Sequence, residues 1–248
     1  MKIYKYRKID EHIEKNILLN EFVYSRVKTF NDPFEVSPNY SIHLDEYHKK
    51  YFDSKPFELE KLQSLFYNQS AISLLHQSLY VASFTQKYDD ILMWSHYADS
   101  HKGLCFEFDI PDSKLVDYQF MNVLYSDSRV TMNINLLKSI NPQILNDETY
   151  SIEIKDDLKP LYIVKSLVWK HENEIRLIYK NKMYDEKSDF VTFVLPYLSH
   201  IYLGVNISSS EEKRVVKLAE KVGVNVSKMC VDKELFKLNP AIIPPEHT

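Results

Sequence analysis

The stretch VWKHENEIRLIYK, residues 168–180, sets two glutamates either side of one asparagine. Read as a strand, its period of two puts Glu172, Glu174 and Arg176 on one face and Ile175, Leu177 and Tyr179 on the other. The apolar set faces the core. The polar set faces either solvent or a cleft. In solvent, Glu174 and Arg176 form an edge-strand pair worth about 0–1 kcal/mol. In a cleft, the two carboxylates can move protons or stabilise a developing positive charge. The residues alone leave both readings open. Trp169, just upstream, serves as core or as the wall of a pocket.

A second stretch, SFTQKYDDILMWSHYADSHKGLCFEFD, residues 83–109, is the densest in polar and aromatic side chains. Trp94, Ser95, His96, Tyr97, Asp99 and His101 fall close together, and Gly103 permits a sharp turn into the next strand. On a helix, His96 and Ser100 share a face with Asp89 and Leu92, while Tyr97 and His101 share another with Asp90 and Met93. Neither face collects three metal ligands, and His96 and His101 do not have the i, i+4 spacing of a helical zinc site. We therefore predict no metal site. Ser95 and His96 are sequence neighbours that point in different directions, so they make no catalytic dyad. A third stretch, FNDPFE at 30–35, has good turn formers before Pro33 and suits a rigid loop or the rim of a cleft.

These groups must be positioned by a chain of 248 residues, 44% apolar and 13% aromatic, which is enough for a sizeable core. The net charge of −4 is spread over mixed acidic and basic residues, with no basic stripe of the kind a nucleic-acid binder carries. Only Gly103, Gly204 and Gly223 are present, isolated from one another. P-loops and dinucleotide-binding turns need closely spaced glycines, so any nucleotide must be held by side chains and strand edges. Cys105 and Cys230 lack a CxxC partner, and we expect both to be buried, reduced thiols in a cytoplasmic protein. No run approaches the roughly 20 apolar residues that span a bilayer.

The predicted order opens with a strand at KIYKYR, a helix at DEHIEKNILLN with Asp10 as its cap, and a strand at EFVYSRV. Residues 28–40 read as a loop, and residues 55–77 as one bent helix or two short ones. SLYVASFT is a strand, DDILMWSHYADSH a short helix capped by Asp89 or Asp90, KGLCFEFDI a strand, and YQFMNVLYS another. Residues 130–145 read as a mobile excursion, and 150–169 as helical with Pro160 interrupting. EIRLIYK, DFVTFVLP and SHIYLGV are strands, SSSEEKRVVKLAEKVG is a capped helix stopped by Gly223, and NVSKMCV is the last strand. The sum is an α+β fold, a single domain over residues 1–248 in which split mixed sheets surround a cleft.

YKYR at 4–7, FNDPFE at 30–35, SFT at 83–85, LMWSHYADSHKGLCFEFD at 92–109 and WKHENEIRL at 169–177 together resemble the bacterial family called domain of unknown function 2971. That family carries no settled activity. The order Arg7, then Ser83-Phe84-Thr85, then Glu172-Asn173-Glu174 is also similar to the arginine class of ADP-ribosyltransferases, with Thr85 standing where that class has serine. This second resemblance implies NAD as substrate, an ADP-ribosyltransferase-like fold, and an unidentified protein or nucleic-acid acceptor. It makes Glu174 the catalytic carboxylate, Glu172 the acceptor-orienting one and Arg7 the diphosphate anchor. Ser83, Thr85, Trp94, His96 and Tyr97 would line the pocket. The function it implies is a transferase effector or toxin in bacterial conflict, including anti-phage defence. Two alternatives stand beside it. One is a metal-dependent nuclease using Glu172, Glu174, His96 and Asp99, and the other is a non-catalytic module whose tyrosines and tryptophans form a recognition surface.

Overall fold

Alternation in KIYKYR and LCFEFD decides the centre of the molecule, because each strand carries one apolar side chain set per face and must be covered on both. The structure, a computed structural model, describes residues 1–43, 46–57, 60, 76–135, 159–180 and 188–244. Its strands are β1 (Lys2–Arg7), β2 (Glu21–Arg26), β3 (Asn39–His43), β4 (Leu79–Thr85), β5 (Leu104–Asp109), β6 (Phe120–Asn122), β7 (Leu124–Ser126), β8 (Thr131–Asn135), β9 (Val164–Ser166), β10 (Glu174–Lys180), β11 (Phe190–Val194), β12 (Leu198–Leu203), β13 (Asn225–Val231) and β14 (Leu238–Ile242). The helices used below are α1 (Ile13–Leu18), α2 (Glu46–Asp53), α3 (Ile91–Tyr97), α4 (Lys159–Ile163) and α5 (Ser209–Lys221).

Ten strands form one mixed sheet in the order β11-β2-β4-β1-β5-β12-β13-β14, with β10 joined to β4 and β6 joined to β10. Among the described residues only the β12–β13 pairing is parallel within this sheet, and α5 makes that crossover. On one face Ile3, Phe22, Phe84, Phe106, Phe108, Ile175 and Leu177 pack beneath α1 and α5. On the other, Tyr4, Tyr6, Cys105, Tyr202 and Met229 pack beneath Met93, Trp94 and Ala98 of α3 and its C-cap. A third cluster joins Leu79, Val81 and Ile178 to Leu161 and Tyr162 of α4.

Among the described residues the architecture is thus α+β with one large sheet and few helices, and the split expected of two sheets takes the form of a fork within that one sheet. One edge of β4 pairs along its whole length with β10, from Thr85 opposite Glu174 to Leu79 opposite Lys180. The other edge is shared. β2 takes Tyr80 and Val81, and β1 takes Thr85. Between those pairings β1 and β2 diverge, and a gap opens alongside Ser83.

Several local signals perform as read. Asp90 caps α3, accepting from the backbone N–H groups of Leu92 and Met93 at 2.9 and 3.0 Å. Ser208 caps α5 by accepting from Glu211 N, and Gly223, at φ 69°, ends it. Others differ. Asp10 accepts from His12 N at 3.0 Å but precedes rather than caps α1, whose first residue is Ile13. YQFMNVLYS breaks at Val123 into β6 and β7, which pair with different strands. Pro160 lies in the first turn of α4, where its missing N–H has no intrahelical partner to lose, so it starts a helix instead of interrupting one. The helix read over 55–77 and the excursion read over 130–145 fall largely outside the described residues. Cys105 is buried in β5 as expected, whereas Cys230, expected to be buried, is exposed on β13; both are free. Among the described residues no helix is long and apolar enough to cross a membrane.

The link from α3 to β5 is unusual backbone. Asp99, Ser100 and His101 all have positive φ, at 48°, 53° and 67°. This left-handed turn is pinned by His101 N to Trp94 O at 3.1 Å and by Gly103 N to Ala98 O at 2.7 Å. Gly103 is required at its end: a Cβ there would lie 2.3 Å from the carbonyl oxygen of Arg7 and 2.9 Å from that of Ala98.

Candidate active site

The turn before β10 sets the two glutamates. Glu172 closes a 3-10 turn over Leu167–Glu172, and Glu174 begins the strand. Between them Asn173 takes φ 44°, a left-handed conformation that asparagine tolerates, and its Nδ2 donates to His171 O at 2.9 Å. Glu172 is therefore not part of the strand, yet both carboxylates reach the same cluster.

That cluster is buried. Glu35, Lys165, Glu172, Glu174 and Arg176 are each less than a tenth exposed. Lys165 Nζ donates to Glu172 Oε2 at 2.6 Å and Glu174 Oε2 at 3.2 Å, and lies 2.9 Å from Glu35 Oε1. Arg176 grips Glu174 with two bonds, Nε to Oε1 at 2.8 Å and Nη2 to Oε2 at 3.1 Å. The same Nη2 reaches Glu35 Oε2 at 2.8 Å, and Nη1 donates to Tyr162 O at 2.9 Å. Tyr97 OH donates to Glu172 Oε1 at 2.6 Å. Thr85 Oγ1 donates to the Glu172 carbonyl, and Glu174 N donates to Tyr125 OH at 2.8 Å. Trp169 stacks on Lys165 at 5.2 Å and Phe30 on Arg176 at 5.7 Å, completing the enclosure.

The solvent reading of Glu174 and Arg176 is overturned by this burial. The polar face of β10 is covered by α4 and by the loop that follows β2, so the pair is a buried network rather than a surface bridge. Val36, beside Glu35, is held at φ 52°, a conformation that is strained for a β-branched side chain. Its side chain is buried in the cluster of Leu161 and Tyr162, which fixes the turn that aims Glu35 inward.

Next to the cluster, in the fork of the sheet, lies a cavity of about 330 Å³. Tyr4, Lys5 and Tyr6 of β1, Ser83 and Thr85 of β4, Tyr97 of α3, and Glu35, Lys165, Glu172 and Glu174 line it. Of the residues singled out from the sequence, Glu172, Glu174, Ser83, Thr85 and Tyr97 therefore meet at one cavity. Three do not. Trp94 is fully buried in the core, its Nε1 donating to Tyr88 O at 2.8 Å. His96 lies on the exposed side of α3, one position from Tyr97 and so about 100° round the helix. Arg7 is held by Asp10 at 3.1 Å and lies outside the cavity lining, whereas Lys5, one strand period earlier, lies within it. Glu35, Lys165 and Lys5 were not singled out. Lys165 did carry a signal, as a single charge within the apolar run LYIVKSLVW.

The electrostatics follow from the partners. Burial works to raise the Glu174 pKa, but the Arg176 guanidinium, followed by Lys165, outweighs it and holds the carboxyl down at about 2. Burial works to lower the Lys165 pKa, but its three glutamates raise it further. Tyr97 is raised by burial and by its bond to Glu172, so it remains a neutral phenol. Because the folded Glu174 pKa lies below the value of 4.5 it has when unperturbed, its contribution is present above that value and is lost as pH falls towards 2. Acid titration of the folded protein should therefore show a loss on the order of 3 kcal/mol across that window, a figure that follows from the size of the shift. Unfolding curves in urea at pH 7, 4 and 2 measure it, and a flat profile would contradict the pairing.

Residues 93–177 match the model of a family described as Protein of unknown function (DUF2971). The match is to this segment of the chain. It contains Tyr97, Lys165, Glu172, Glu174 and Arg176, and it leaves outside Lys5, Glu35, Ser83 and Thr85, which complete the same cavity. No curated protein and no solved structure matches the chain. The DUF2971 description names no activity, and the likeness to ADP-ribosyltransferases rests on side-chain types and their order alone.

Proposed function

We propose that the fork cavity cleaves the bond between nicotinamide and ribose in NAD and passes the ADP-ribosyl group to an acceptor. The observation that supports this reading is that Glu172 and Glu174 share one cavity and that Glu174 is held ionised. When the N-glycosidic bond breaks, its electron pair leaves with the nicotinamide and C1′ of the ribose becomes electron-poor. A fixed carboxylate beside that carbon stabilises the charge without needing to reorganise. Glu174, anchored through Arg176, has the rigidity for this role. Glu172, which accepts from the neutral Tyr97 phenol, takes the acceptor-orienting role. Arg7, engaged with Asp10, is no longer assigned to the diphosphate. The cavity is at the lower end of the roughly 300–1,000 Å³ of ligand pockets, which suits the nicotinamide-ribose half of the dinucleotide. In a bacterial cell such chemistry would act as an effector of conflict by draining NAD or modifying a target.

Glu174→Gln is a poor test, since it also strips a buried network of its charge. Tyr97→Phe is cleaner: it deletes one hydroxyl and keeps the ring. Nicotinamide release followed by chromatography should fall about 10–100-fold in kcat, the effect of losing one positioned polar group next to the reacting centre. The thermal midpoint should move by only a few degrees, as expected for one hydrogen bond worth about 1 kcal/mol. The reading fails if the wild type releases no nicotinamide with any acceptor offered.

The nuclease alternative is less well supported by these residues. His96 and Asp99 lie outside the cavity lining, and Lys165 and Arg176 fill the space between the three glutamates. Cleavage of nucleic acid that depends on Mg²⁺ would restore it.

A further inference from the structure

We propose that Lys5 is a nucleophilic amine that takes up a small hydroxylated aldehyde or ketone as an imine within the fork cavity. The proposal goes beyond the NAD reading and does not depend on it.

β1 places this side chain at the mouth of the fork. Lys5 sits where β1 leaves β4, so its Nζ crosses the fork to donate to the Ser83 carbonyl at 3.0 Å. It lies over the Phe84 ring, 5.1 Å from the centroid. Among the described residues no carboxylate lies within 4.0 Å of it, although three glutamates line the same cavity and all three close on Lys165. One lysine of the cavity is thus locked as an ammonium by carboxylates, while the other rests on a backbone carbonyl and a ring. Two lysines in one cavity with opposite surroundings is the arrangement that separates a structural cation from a reactive amine.

The electrostatics agree with the geometry. Burial, then the neighbouring Arg7 charge, push the Lys5 pKa down to about 8, with Glu174 opposing. A useful fraction of the amine is therefore unprotonated near neutral pH. The rest of the lining defines the substrate class. Ser25, Thr29, Asn31, Ser83 and Thr85 offer hydroxyl and amide groups that suit a hydroxylated chain, and the volume limits it to a small one.

The amine lone pair attacks the carbonyl carbon, the C=O π pair moves to oxygen, and the nitrogen loses a proton as the oxygen gains one. The resulting carbinolamine expels water, which leaves a C=N bond on Nζ. One amine and one carbonyl give one imine and one water, with no oxidant or reductant.

The test is reductive trapping of the whole chain. The protein is incubated with glyceraldehyde and sodium cyanoborohydride at pH 7.5, and lysine adducts are mapped by peptide mass spectrometry. Lys5 should be modified about tenfold faster than the exposed Lys8, because lowering an amine's pKa raises its free fraction near neutral pH more than it lowers its nucleophilicity. The rate of Lys5 modification should rise with a midpoint near 8. Lys5→Arg keeps a cation able to bond Ser83 O, and should remove this adduct while the melting temperature stays within a few degrees. Modification of Lys5 no faster than Lys8, or with a midpoint near the ordinary 10.5, overturns the proposal. Failure of NAD turnover leaves this labelling unaffected, so the two readings fall separately.

Discussion

Replacing Arg176 by methionine is expected to lower the thermal midpoint by roughly 10 °C, because breaking a buried pair costs about 3–5 kcal/mol and a domain of this size moves about 2–4 °C per kcal/mol. The side chain is entirely buried and serves two glutamates and a backbone carbonyl, Tyr162 O. Methionine fills the volume but leaves Glu35 and Glu174 with Lys165 alone against three carboxylates. Burial then dominates at Glu174, its pKa rises once the Arg176 charge is gone, and the variant gains relative stability as pH falls. The wild type does the opposite. Calorimetric scans at pH 7 and pH 5 should therefore show the gap between the two proteins narrowing in acid. A fall of under 2 °C at pH 7 would mean that the network is not enclosed as described.

Gly103→Ala should be comparably damaging, for a steric reason and without any electrostatic signature. The added methyl would sit 2.3 Å from the Arg7 carbonyl oxygen, and both nearest contacts are backbone atoms that no side-chain rotation can move. To make room, β1 must slide against β5, with which it pairs from Lys2 opposite Asp109 to Arg7 opposite Leu104. Overpacking ordinarily costs about 1–3 kcal/mol, and displacing a central ladder adds to that. We expect a loss of at least about 3 kcal/mol, unchanged between pH 5 and pH 7, by denaturant unfolding. A variant with wild-type stability would show that the left-handed turn can re-form elsewhere.

Much of the sheet was legible because strands buried on both faces write their pattern directly. In LCFEFD the alternation of Leu104, Phe106 and Phe108 with Cys105 and Glu107 is the observed division of faces. The caps at Asp90 and Ser208 were legible for a similarly local reason. The burial of Glu174 and Arg176 was not, since the period of two that groups them says nothing about what covers their face. The cover comes from α4 and from residues 27–36, more than 130 positions before Arg176 in the case of Glu35. Trp94 and His96 were drawn towards a pocket by their types, whereas helical position decided that Tyr97, with Met93 one turn earlier, would face it. ADSHKG looked like chemistry, and its residues instead serve a backbone of positive φ.

The fork also sets a timetable for synthesis. β1 is an inner strand whose neighbours are β4 and β5, so it has no ladder to join until residues 79–109 exist. At about 5–20 residues per second that leaves it unpaired for several seconds on the ribosome. The cavity takes longer still, because Lys165, Glu172 and Glu174 are translated well after Lys5 and Glu35 have left the tunnel. A nascent chain that ends before Lys165 thus holds one carboxylate of the network, Glu35, and neither of the cations that pair with it, so the cavity is completed only after most of the sheet has been made.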